Sequence, residues 1–150
     1  MSDLPRDQIQ QAASGLRLRD IALYTARFDR TEWAAPVEQG MQQHKRQVNH
    51  RLLRRDGADG QPDRLQVMVA LGTRVVSGDE AEDTEIFKIE ADFLAEYDVS
   101  SCPSEEAAEA FAEYNAVHNV WPFWRQHVFD LVQRGRLPNL EIPLLPAVNA

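Results

Sequence analysis

His118-Asn119-Val120-Trp121-Pro122-Phe123-Trp124-Arg125, running through Phe129-Asp130-Leu131-Val132 to Arg134-Gly135-Arg136-Leu137-Pro138, is the stretch whose reading decides the fold. Val117, Trp121, Trp124, Val128, Leu131 and Val132 recur at steps of three and four residues, the signature of a helix with one buried stripe. Phe123 and Phe129 fall off that stripe, so a second face is also apolar and needs its own cover. In a chain of 150 residues, one such cover is expected to be another copy of the protein. Proline inside a helix costs roughly 3 kcal/mol, but little in the first turn, where the N–H has no partner anyway. Pro122 therefore predicts a helix that begins near residues 117–119. It should end at Arg134, with Gly135 in the C′ position, Pro138 as the stop, and Arg134 and Arg136 near the negative end of the dipole.

Length points to one domain over residues 1–150, with 1–15 as a polar N-terminal extension. A net charge of −8 argues against nucleic-acid binding, which calls for a basic surface. No apolar run is long enough to span a membrane, and the N-terminus has no signal-peptide core. The single cysteine, Cys102, has no internal partner, and together these features favour a cytoplasmic setting.

Upstream, residues 5–14 read as a short polar helix broken by Gly15. Leu16 and Leu18 alternate with arginines, and Ile21 and Leu23 continue in the opposite phase, so a strand over 16–28 carries a bulge at Asp20. Residues 29–41 form a loop that is unusually apolar. Trp33 either plugs the edge of the core or, with Val37 and Met41, rims a binding groove. Residues 42–55, rich in Arg, Lys and His, read as a weak edge strand whose cations discourage aggregation. A turn at 56–63 leads into a strand from Leu65 to about Val76, and an acidic turn at 78–85 follows. Phe87, Ile89, Ala91, Phe93, Ala95, Tyr97 and Val99 then alternate with Lys88, Glu90, Asp92, Glu96 and Asp98, which means an antiparallel sheet with one packed face and one wet, acidic face. Ser104 caps a helix with Glu105 and Glu106 in its first turn, running to about Asn115, before the final helix takes over. The fold class is α+β: a four-stranded antiparallel sheet with helices packed on one face.

No catalytic constellation stands out, so the chain is read as a non-enzyme with no cofactor. The four histidines lack metal-ligand spacing, Cys102 lacks a nucleophile signature, and no glycine-rich phosphate loop occurs. The acidic turn lacks the calcium-loop spacing and glycine. Glu90 and Asp92 share a face, but nothing separates their affinities for protons as acid–base work requires.

Trp-Pro-Phe-Trp-Arg at 121–125, Arg-Gly at 134–135 and Leu-Pro-Asn-Leu-Glu-Ile at 137–142 closely resemble the helix and exit segment of the SecB family of export chaperones. The layout of four strands followed by two helices agrees with that fold. The resemblance implies an ATP-independent holdase for unfolded or aggregation-prone polypeptides, assembled as a homotetramer that is a dimer of dimers. It implies a hydrophobic client groove at Trp33, Val37, Met41, Ile142, Leu144 and Leu145. It accounts for an oligomer interface at Trp121, Phe123, Trp124, Val128, Phe129 and Leu131. An acidic partner surface maps to Asp20, with Glu90 and Asp92 beside it. Two other acidic positions that export members use to meet the SecA motor fall on Tyr24 and Lys88, which argues against SecA docking. The family's final amphipathic helix has no counterpart before Ala150. A dedicated client, the antitoxin of a toxin–antitoxin pair, needs no motor and is preferred to general export. The alternative is a structural or adaptor protein that kept the fold and its oligomer interface.

Overall fold

The structure is a computed structural model and describes residues 3–30, 40–54, 62–76, 85–137, 140, 142–144 and 146. Trp33, Val37 and Leu145 lie outside these residues, as do most of the loops expected at 29–41, 56–63 and 78–85.

A helix, α1 (Asp3–Ala13), precedes four strands: β1 (Leu16–Arg30), β2 (Met41–Leu53), β3 (Arg64–Val76) and β4 (Glu85–Val99). They form one antiparallel sheet in the order β1-β4-β3-β2, so β1 and β2 are the edges. The central strands carry the strictest alternation, and Leu65, Val67, Val69, Phe87, Ile89, Ala95 and Tyr97 are buried on the helix-bearing face. Directly paired residues share a face. Thus β1 sets Leu18, Ile21, Leu23 and Phe28 opposite Tyr97, Ala95, Phe93 and Ile89 on that same face.

Two register shifts keep β1 in phase, one between Leu18 and Asp20 and a second between Leu23 and Thr25. The bulge expected near Asp20 is present. The second, at Tyr24, is not visible in the alternation, because Thr25 and Ala26 carry little hydrophobic contrast. Each bulge inserts one unpaired residue and returns the next apolar side chain to the core face.

After β4, Ser104 caps α2 (Glu105–Ala110), its Oγ accepting the Ala107 N–H at 3.1 Å. A π segment (Phe111–Ala116) then leads without a break into α3 (Val117–Arg134). The two helices expected from the sequence are therefore one rod, with right-handed helical angles at Ala110, Phe111, Ala116 and Val117. Pro122 lies inside α3 and marks no helix start. The carbonyl that loses its partner belongs to His118, and His118 and Pro122 are both exposed, so water is available to it.

The stripe of α3 packs onto the centre of the sheet, with Val117, Val120, Trp124 and Val128 almost completely buried. Asn119 Nδ2 donates to the Tyr97 hydroxyl at 2.8 Å, while the Phe111 ring meets the Tyr97 ring edge-on. Burial pushes the Tyr97 hydroxyl up to about 12. On the other side of the rod, α1 contributes Ala12, which is fully buried.

The end of α3 departs from expectation in an instructive way. The Arg136 N–H donates to Gln133 O at 3.3 Å and the Leu137 N–H to Val132 O at 3.0 Å, the paired bonds of a Schellman motif. That makes Arg136, with φ 52°, the left-handed C′ residue, while Gly135 keeps a right-handed φ of −83°. Gly135 serves a different need, since a Cβ there would sit 3.0 Å from Leu131 O and 3.1 Å from the tip of the Phe28 ring. Glycine lets the helix end press onto β1, and Arg30 Nη1 closes the joint by donating to Gly135 O at 2.7 Å.

The two positions should therefore respond oppositely. Gly135→Ala is expected to destabilise through overpacking, by about 1–3 kcal/mol. Arg136→Gly removes the left-handed penalty of a side-chain-bearing residue and should stabilise by about 0.5–1 kcal/mol after glycine's own entropy is counted. Urea denaturation of both variants checks this, and a destabilised Arg136→Gly would show the helix end to be described wrongly.

Candidate functional site: a groove beside the final helix

The helix-bearing face is covered unevenly, and the unevenness makes the site. Where β2 crosses it, the residues facing the rod are Gln42, His44 and Arg46, opposite Val75, Thr73 and Leu71 of β3. These polar side chains do not fill the space beside α3, and a groove of about 1260 Å³ lies between them and the helix. Its apolar surface comes from Val128, Phe129 and Val132 of α3 and from Leu137, Leu140 and Ile142 of the exit segment. Gln126, Gln133, Arg125 and Arg136 add polar groups. Phe129 is 55% exposed, a large uncommitted aromatic surface.

The exit segment is held by the core itself. The Trp121 indole Nε1 donates to Pro143 O at 2.8 Å, which sets Ile142 against the groove and leaves Leu144, at 72% exposure, just beyond. Such a surface, apolar and polar in about equal measure, offers both burial for side chains and partners for polar groups.

Two histidines lie close to this region and both are biased toward the neutral form. Partial burial lowers His44 on the groove wall. Burial also lowers His127, whose ring stacks on Trp124 and meets Phe93 edge-on, while Asp130 opposes the shift.

Of the residues expected to form a client groove, Ile142 lines it and Leu144 stands at its end. Met41 is exposed, but β2 alternation turns it to the opposite face from Gln42, so it does not line this groove. Trp33, Val37 and Leu145 fall outside the described residues. Of those expected between copies, Trp121, Trp124 and Val128 are buried within a single chain, because the rod's main stripe is fully used by its own sheet. Leu131 is half-buried, and Phe129 and Phe123 remain available, the latter at 50% exposure. Gln42, His44, Arg125, Arg136, Leu137 and Leu140 were not singled out as groove residues. For Arg125, Phe129 and Val132 the signal was present: steps of four and three residues along the flank of the buried stripe.

The far face of the sheet is less acidic in effect than in composition. Lys45 pairs with Glu90, and Lys88 reaches the same carboxylate at 3.6 Å. Lys45 lies across Gly72, where a Cβ would meet its chain at 2.7 Å, so the missing side chain on β3 lets a β2 lysine reach β4. Asp92 accepts from the Thr25 hydroxyl at 2.7 Å, and Arg64 pairs with Glu96 at 3.3 Å. Asp20 is exposed, opposite Glu96. The expected partner surface at Asp20, Glu90 and Asp92 is thus largely answered from within the sheet. The Lys45 contact, above all its hydrogen bond, holds the Glu90 carboxyl below its usual range.

Among the described residues, no helix is long and apolar enough to cross a membrane, and no cluster of His, Cys, Asp and Glu is placed to hold a metal ion.

Sheet order, bulged edge strand and long final helix together define the SecB-like fold. A solved structure that shares it is the Mycobacterium tuberculosis Rv1957 SecB-like chaperone in complex with a ChAD peptide from the Rv1956 HigA1 antitoxin. The two chains superpose with a TM-score of 0.74 over 94% of this chain and 98% of that one, at 19% identity. The likeness is one of fold. No protein-family model and no curated protein sequence matches the chain.

Because Glu90 is held below its ordinary value, its contribution to stability is complete above the unfolded value near 4.5 and is lost as pH falls through the folded one. Glu90→Gln should be less stable than the parent near neutral pH, and the gap should close between about pH 5 and pH 3. Urea midpoints across that range test this, and parallel curves for the two proteins would refute it.

Proposed function

We propose that this protein is an ATP-independent holdase that binds unfolded or aggregation-prone polypeptide segments in the groove beside α3. The observation that carries the reading is that groove: some 1260 Å³ of open space whose lining combines apolar side chains of α3 and the exit segment with polar and cationic ones. Its neighbour in fold is named a chaperone and holds a peptide, which supports the same use here. Ile142 and Phe129 supply contact area and Leu144 extends it, with Trp33, Val37 and Leu145 proposed as further client contacts.

The protein is further proposed to act as a homo-oligomer, a dimer of dimers. Leu18 and Leu23 on the edge strand β1, 45% and 50% exposed, lie on the helix-bearing face, as does the rod that carries Phe123. A second copy would remove all three from water, at about 25 cal/mol per Å² of apolar area. A dedicated antitoxin client is favoured over general export for two reasons. The fold neighbour's peptide comes from an antitoxin. The surface expected to meet an export motor carries Tyr24 and Lys88 in place of acids, and Lys88 faces Glu90.

An unfolded client followed by light scattering tests the reading. Stoichiometric suppression of aggregation without nucleotide is expected, and Phe129→Asp should weaken it while leaving the fold intact by circular dichroism. Absence of suppression by a correctly folded oligomer would favour an adaptor that kept the architecture alone.

A further inference from the structure

The described lining of the groove differs in charge from the protein as a whole. The chain carries a net charge of −8. Yet the described residues that line the groove include Arg125 and Arg136, three glutamines and one histidine, and no carboxylate. Two observations single out the arginines among the described residues. Arg125 Nε is shielded from water and has no hydrogen-bond partner among the described residues. Such an unmet donor is costly, the more so where the group is charged. Arg136 occupies the left-handed position at the helix end, which disfavours a side-chain-bearing residue and suits glycine. A cation kept in a strained backbone position at the mouth of a binding groove points to a use for its charge.

We propose that the groove selects polypeptide segments in which apolar residues are flanked by carboxylates, the acids pairing with Arg125 and Arg136 while the apolar side chains bury against Phe129 and Val132. The inference rests on the holdase reading and adds the chemical class of the client. Its sign is diagnostic. Long-range attraction to a protein of net charge −8 would favour basic segments. A preference for acidic ones can therefore come only from the local field of the groove, where partly desolvated guanidinium groups form charge-assisted hydrogen bonds.

The test uses the full-length protein and fluorescein-labelled peptides that share one Leu- and Phe-rich core and differ only in flanks of Glu, Ser or Lys, read by fluorescence anisotropy. The Glu-flanked peptide should bind about tenfold more tightly than the Lys-flanked one at low salt, and raising the salt should shrink the ratio. Arg125→Gln combined with Arg136→Gln should bring the ratio toward one. The wild-type ratio stands as a test by itself should that variant fold poorly. Equal binding of the three peptides, or tighter binding of the Lys-flanked one, overturns the charge preference and leaves the groove reading intact. Failure of every peptide to bind, with Phe129→Asp lowering the native mass, would show that a second copy occupies the groove and would overturn both.

Discussion

Everything in this molecule depends on the burial of one helical stripe, Val117, Val120, Trp121, Trp124 and Val128, against the two central strands. Isolated helices and isolated sheets of this kind are marginal in water, and it is the shared apolar face that stabilises both. A buried Trp of the size of Trp124 contributes several kcal/mol by removing its surface from water. The same packing fixes the height of the rod above the sheet. On one flank β2 presents Gln42, His44 and Arg46 to the rod instead of apolar side chains, and they do not fill the gap there. Core and groove are two results of one asymmetry.

The opposite flank shows the complementary choice. β1 presents Leu18, Ile21, Leu23 and Phe28 to the rod's side of the sheet, and its two bulges keep them there over 15 residues. A strand of this length without bulges would send half of them to the face that carries Glu90, Asp92 and Glu96. What remains uncovered on this flank is apolar, whereas what remains uncovered beside β2 is mixed. The two edges of the sheet thus differ in chemistry, one leaving apolar side chains uncovered and the other a mixture.

Much of the architecture was legible because burial is one-sided. Strands β3 and β4 alternate strictly since each has one packed and one solvated face, and Ser104 announced the first turn of α2 by its capping chemistry. Three features were not. The continuity of α2 and α3 was hidden because Pro122 suggested a start, and a local rule about a missing N–H does not weigh the packing energy of a long rod. The left-handed residue at the helix end is Arg136, and Gly135 is required by the approach of Phe28, a tertiary contact that no local rule contains. The groove was only half visible. Ile142 and Leu144 follow from the exit segment, but Arg125, Gln42 and His44 meet across elements far apart in sequence.

The hydrogen bond from the Trp121 indole to Pro143 O joins the deepest part of the molecule to its most adaptable wall. A bond of this type is worth only about 1 kcal/mol net, far less than the burial of the ring that donates it. The position of the exit segment therefore rests on a far smaller energy than the burial of the ring that anchors it.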